Sequence, residues 1–286
     1  MAFPRDSDIM KTIVRQRIRV FPHSIETYYE APLHLFVVKR QPPFHVVSAE
    51  FAGLLEGDHF ETEIVVESGA CLTLSTQEAT KLMAMPSEGA RHDWHIVLHA
   101  DSLLAFLPNE TIPFAHSDFI QEVICQMKPG ASLLWGEVVI AGRLAHHEYF
   151  QFRHYHSRLS ILDWDSQRPL YHENQCLKPG TIQFEDRDIW GRFTAWGSLV
   201  AIRHDSSLGG FAVPSLKYTQ GPWSRPYYTP EGNEDERDGA DEQSSFYYQG
   251  QSSLPGGFLW RIMTTQPQGI HHLIHQRIKE AGISLG

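Results

Sequence analysis

The chain has 286 residues, 42% of them hydrophobic and 20% charged, with a formal net charge of −10. That length suits one large domain or two small ones. The acidic balance argues against a surface built for nucleic-acid phosphates, and no run approaches the roughly 18 apolar residues of a transmembrane helix.

Residues 1–19 carry Asp6, Asp8 and Lys11 and no apolar run, so no secretory signal is expected. In chain order, residues 60–66 (FETEIVV) alternate as a half-buried strand does. Residues 77–85 are a possible helix. Trp94, Ile96 and Leu98 alternate again, and GRFTAWGSLVAIRH at 191–204 is rich in aromatic and branched residues, both strand signals. Residues 231–243 hold seven acidic residues and one Arg, with no apolar residue but Ala240. Such a segment cannot bury apolar area, so a solvated, disordered insertion is expected in an otherwise single domain. Residues 269–281 place Ile270, Leu273, Ile274 and Ile278 on one helical stripe, and Gly282 follows as a stop.

A weak repeat runs through the first half. VVESGACL at 65–72, VLHADSL at 97–103 and MKPGASLL at 127–134 each read as strand, tight turn, strand. Their turn positions 69, 100 and 130 recur at about 30-residue intervals, which suggests stacked rungs of a β-solenoid. Three hairpins in a sandwich would give the same local pattern.

The common catalytic and nucleotide signatures are absent: there is no phosphate loop, G-x-S-x-G elbow or H-E-x-x-H. Cys71, Cys125 and Cys176 fit neither a disulfide framework nor a four-cysteine zinc site, so a reducing, cytoplasmic setting is expected. The 17 histidines raise the question of metal. His92 and His95 are three apart on a strand and point to opposite faces. His154 and His156 are two apart and share a face, the spacing a cupin uses for metal, although no glutamate and glycine follow in place. His271 and His275 lie one helical turn apart. Glu137 stands within LLWGEVVI, where a lone charge is costly, so its carboxylate must be paired, protonated, hydrated or metal-bound. Arg143 is the nearest cation in sequence. Glu148 and Glu173 follow in less apolar surroundings.

Four segments carry a family resemblance: GLLEGD at 53–58, TQEATK at 76–81, LPNETIPF at 107–114, and Gly142-Arg143 followed by Glu148. In this order and spacing they resemble the urease accessory protein UreD, also called UreH. The resemblance implies a mostly β, helix-poor, β-helical fold and a protein that is not an enzyme. It implies a complex with UreF and the GTPase UreG that docks on apo-urease. There Ni²⁺ is inserted, GTP is hydrolysed by UreG and a lysine is carbamylated by CO₂. Nickel would be held in transit in an internal passage, with no tightly bound cofactor. The matched passage positions are Glu137 and Glu173, with Asp58 and Glu148 as further candidates in the matched motifs. Two other classes stand beside this reading. One is a cupin-like metalloenzyme using His154 and His156, and the other a sugar-binding β module using Trp223, Tyr227 and Tyr228.

Overall fold

A computed structural model describes residues 13–50, 53–181, 193–204, 247–254, 256–265 and 267–283. The acidic segment 231–243 and the aromatics Trp223, Tyr227 and Tyr228 lie outside the described residues. The first strands are β1 (Ile13–Val20), β2 (Ile25–Tyr29), β3 (Leu33–Lys39), β4 (Phe44–Glu50), β5 (His59–Val66) and β6 (Cys71–Thr76). Then come β7 (Thr80–Leu82), β8 (Ala90–Leu98), β9 (Leu103–Phe106), β10 (Thr111–Pro113), β11 (Asp118–Met127) and β12 (Ser132–Ile140). The last are β13 (His154–Asp163), β14 (Pro169–Leu177), β15 (Ala195–Arg203), β16 (Tyr247–Leu254) and β17 (Gly257–Thr264), before the helix α1 (Ile270–Glu280).

Alternation decides which face each strand buries. In β8, Ala90, His92, Trp94, Ile96 and Leu98 are buried, while His95 between them is exposed. Strands β1, β5, β8, β11 and β13 then stack in parallel register, and β4, β6, β9 and β12 do the same in a second sheet. A short third side is made by the bridge Leu54 to Leu82 and by β7, β10 and β12, again parallel. The chain therefore winds as a β-solenoid, and each coil pairs mainly with its neighbours. The outermost strands of the two large sheets (β2, β14, β3 and β16) run antiparallel to their neighbours.

The repeat is real, but its phase differs from the sequence reading. Glu67–Ala70, His99–Ser102 and Lys128–Ala131 form equivalent turns between the sheets, since Cys71 pairs with Leu103 and Leu103 with Ser132. The residue matching Gly69 is Asp101, not Ala100. Gly69, Asp101 and Gly130 all have positive φ, at 72°, 57° and 85°. Asp tolerates that region better than most side chains do. Gly130 has no such latitude, because a Cβ there would lie 2.4 Å from Asp101 Oδ1.

The possible helix at 77–85 is not formed. Thr80 N–H donates to the Glu110 carbonyl at 2.9 Å, and Leu54 N–H donates to the Lys81 carbonyl at 2.8 Å. These bonds tie the backbone to adjacent coils as strand β7, and tertiary pairing overrides local preference. The C-terminal helix forms as expected. Ile270, Ile274 and Ile278 bury against Leu134, Val138 and Leu199, on the outer face of the ten-stranded sheet.

Two apolar clusters fill the space between the sheets. One holds Ile64, Leu72, Ile96, Leu98, Leu133 and Trp135. The other holds Phe60, Leu82, Phe119, Val139, Tyr155 and Trp196. No helix among the described residues is long and apolar enough to cross a membrane.

Candidate functional site

The boundary between the two clusters is polar. On the seven-stranded sheet it passes through Gln16 and Thr62, then shifts by two residues, staying on the same face, to His92, Gln121 and Ser157. Gln16 Nε2 donates to Thr62 Oγ1 at 2.8 Å, and Ser48 Oγ donates to Gln16 Oε1 at 3.2 Å. Thr62 Oγ1 meets His92 Nε2 at 2.8 Å, and Gln121 Nε2 donates to Ser157 Oγ at 3.2 Å. On the facing sheet the inward positions at this level are Ser48, Thr76, Glu137, Ser198 and Arg261. The result is a polar layer that crosses the stacked strands. From β1 to β14 it spans five strand spacings, roughly 24 Å.

Glu137 and Glu173 sit toward one end of this layer. Strand β12 points Leu133, Trp135, Glu137 and Val139 inward, so Glu137 leaves the apolar stripe where Trp135 and Val139 bracket it. Tyr155 OH donates to Glu137 Oε1 at 2.7 Å. Burial pushes the Glu137 carboxyl above the usual carboxylate range, hydroxyl bonds from Tyr155 and Ser157 oppose that, and the charge of Glu173 adds to the rise. Arg143 is not its partner. Glu173 comes from β14, accepts from Tyr171 OH at 2.8 Å and pairs with Arg261 Nη2 at 2.6 Å. Its side chain is 17% exposed, whereas that of Arg261 is 59% exposed. Glu173 and Arg261 line a cavity of about 280 Å³ with Gln175, Trp196 and Ser198. The structure thus brings Glu137 and Glu173 within electrostatic reach of each other, from two different sheets.

Sequence reasoning passed over Glu50. It ends the alternation Phe44, Val46, Ser48, Glu50 and so shares their inward face, a signal that the period of two contains. Glu50, His92, Gln121 and Glu137 line one partly enclosed space of about 40 Å³, room for a few waters. Two buried polar atoms on that lining, Glu50 Oε2 and Trp94 Nε1, have no hydrogen-bond partner in the protein. Burial raises the Glu50 carboxyl to about 7, the charge of Asp58 adds to this, and a Thr80 hydroxyl bond opposes it. A carboxyl raised on folding contributes stability that is complete below its unfolded value near 4.5 and is lost as pH climbs through 7. Glu50→Gln removes that loss. The variant is expected to be more stable than the parent at pH 8 by about 1–3 kcal/mol and equal to it near pH 4. Urea denaturation at both pH values measures this, and equal stability at pH 8 would mean that the carboxylate is solvated when ionised.

The other two sequence candidates have local partners. Asp58 Oδ2 accepts the Leu55 N–H at 2.7 Å, closing the turn before β5, and burial raises its carboxyl. Its charge reaches Glu50, which links it to the layer indirectly. Glu148 is clamped by Arg143, whose Nε donates at 2.8 Å and whose Nη2 holds the other oxygen, and Ala115 N–H adds a third bond at 3.1 Å. The Arg143 guanidinium lies 4.4 Å from the centroid of the Phe114 ring. Arg143 and Glu148 thus fasten the loop after β12.

The histidines divide by face. His92 is buried in the layer, and burial lowers its pKa to about 3, so it is neutral there. His154 and His156 point outward from β13, away from the interior, so they do not form the inward metal pair of a cupin barrel. His271 pairs with Glu110 Oε2 at 3.0 Å.

These features define a parallel β-solenoid whose two apolar clusters are parted by an acid-bearing polar layer. The chain belongs to the UreD family of urease accessory proteins, because a family profile described as "UreD urease accessory protein" matches residues 23–281. It is 30% identical over 195 residues to urease accessory protein UreD of Acetivibrio thermocellus, covering 65% of this chain and 68% of that protein. It is 28% identical over 158 residues to UreH of Helicobacter pylori strain P12. It is 30% identical over 161 residues to UreD of Yersinia pestis bv. Antiqua. Those matches cover 55% and 54% of this chain, which spans 59% and 58% of the two proteins' lengths.

Proposed function

We propose that this chain is a nickel-insertion scaffold of urease maturation. Assembled with UreF and the GTPase UreG in the cytoplasm, it docks on apo-urease and conducts Ni²⁺ along the polar layer. It catalyses no reaction itself. GTP hydrolysis belongs to UreG, and Ni²⁺ is cargo rather than a resident cofactor. The observation that carries this reading is the interior row of polar groups that holds Glu50, Glu137 and Glu173 between two apolar clusters.

The donor chemistry suits transit. Late first-row divalent ions bind imidazole and thiolate tightly and oxygen donors more weakly. Carboxylates spaced along a hydratable layer offset the charge of a passing ion without trapping it. His92, the imidazole in the layer, is held by Thr62 Oγ1 and stacked on Trp94 at 4.6 Å between centroids. The test is co-expression of a tagged chain with UreF, UreG and urease, followed by pull-down and nickel analysis. Capture of all three partners, with nickel and activity reaching urease only when the chain is present, is expected. Full activation without the chain would overturn the reading.

A further inference from the structure

We propose that His154, His156 and Cys176 form a binding site for one late first-row divalent metal ion on the outer face of the seven-stranded sheet. This site is separate from the interior layer and does not depend on the nickel-conduit reading.

The strand geometry builds it. Alternation along β13 turns Tyr155 and Ser157 inward and leaves His154 and His156 on the outside, with ring centroids 5.5 Å apart. Strand β14 runs antiparallel beside them and sets Cys176 directly opposite His156. One ligand atom from each of the three residues lies within 4.8 Å of the other two. His154 Nε2 and Cys176 Sγ are 3.5 Å apart. Tetrahedral bonds of about 2.0 Å to nitrogen and 2.3 Å to sulfur place those two atoms roughly 3.5 Å apart. That pair is already at ligand spacing, and His156 needs only a small side-chain adjustment to join it.

The surroundings orient the ligands. Asp118 Oδ1 lies 3.3 Å from His154 Nδ1, the carboxylate–histidine arrangement that leaves Nε2 to face the metal. Arg153 Nη2 donates to the other Asp118 oxygen at 3.0 Å and holds it in place. Asn174 Oδ1 fixes the His156 ring from 2.6 Å. Both histidines are partly shielded and Cys176 is exposed, so an ion can enter from solvent and keep a fourth position for water. Two imidazoles and a thiolate select zinc, nickel or cobalt over magnesium or calcium. Such a donor set retains its ion, in contrast to the oxygen donors inside.

Co²⁺ is the probe, added to the reduced full-length chain without a polyhistidine tag. One Co²⁺ per chain is expected, with a thiolate-to-metal charge-transfer band, displaced by Zn²⁺ and by Ni²⁺. Cys176→Ser abolishes the band, and His154→Gln lowers affinity by more than about a hundredfold, exceeding the roughly 10- to 100-fold cost of losing an outer-shell partner. Bound metal also protects Cys176 from alkylation. The charge-transfer band requires the Cys176 thiolate, which the oxygen donors of the interior layer cannot supply, so failure here is distinguishable from failure of the conduit. Absence of a charge-transfer band at saturating Co²⁺, or a band that persists in Cys176→Ser, would overturn the site.

Discussion

Glu173→Ala is expected to reduce urease activation more than Glu137→Ala, with both variants still assembling with UreF, UreG and apo-urease. Either change removes a carboxylate from a stretch where a divalent ion has few other groups to offset its charge. Raising the transit barrier by about 1–3 kcal/mol slows passage roughly 5- to 150-fold. Glu173 falls at the upper end because its removal also unmasks a cation. Arg261 Nη2 now rests 2.6 Å from Glu173 Oε1 at the edge of the cavity. Without that partner, its positive charge faces the passing ion. The double variant Glu173→Ala/Arg261→Ala should therefore recover part of the loss, which a purely structural role would not produce. The readouts are urease activity and nickel content under limiting nickel, with a pull-down in parallel. Normal activation by both single variants would reject the conduit. Lost activation accompanied by lost partner binding would assign the two acids to the fold instead.

A large effect on the fold itself is expected at Gly142. Its φ is 138°, and a Cβ there would lie 2.1 Å from the Glu148 carbonyl oxygen. The clash is with backbone in a loop that is held on both sides: Glu148 N–H donates to the Arg143 carbonyl at 3.2 Å, its carboxylate is bound by Arg143 and the Ala115 N–H, and Phe150 N–H donates to the Ala141 carbonyl at 2.6 Å. Gly142→Ala must either open this clasp or distort the end of β12. We expect a loss of about 3–5 kcal/mol. For a chain of this size that lowers Tm by roughly 6–20 °C. Thermal unfolding followed by circular dichroism measures it, and a Tm within two or three degrees (about 1 kcal/mol) of the parent would show that the loop adapts.

Much of this was legible in the sequence, for reasons that differ by element. Period-two alternation made β5 and β8 visible, and the recurring turn made the stacking visible, because each coil must present the same inward face to the next. The phase of that turn was misread at 100 because Asp101 occupies a position that glycine fills in the other two coils. The segment at 77–85 looked helical because its partners, Leu54 and Glu110, are distant in sequence. Glu137 was conspicuous as an acid inside LLWGEVVI, but its bond to Tyr155 was not, since Tyr155 comes from the opposite sheet. Arg143 seemed a natural partner by proximity along the chain, yet it lies on the loop beyond β12 and turns to Glu148. Glu50 escaped notice because β4 was not read as a strand from the sequence, and a carboxylate at a strand end looks solvent-facing. The four motif segments pointed to the family more directly than to any residue's role, for a motif preserves loops such as the Gly142 clasp as readily as it preserves chemistry.

The direction of the edge strands has a further consequence. A stack of parallel coils with bare ends would offer each end as a template for another copy in the same direction, and chains could add like beads on a thread. Here each outermost strand of the two large sheets runs backward against its neighbour. The parallel repeat therefore ends at a reversed strand on each rim rather than at a bare coil, and both rims of each large sheet carry the same reversed direction. The reversal gives the coil a definite first and last rung. The parallel run of layer residues from Gln16 on β1 to Ser157 on β13 is thus bounded on both sides by reversed strands of the same chain.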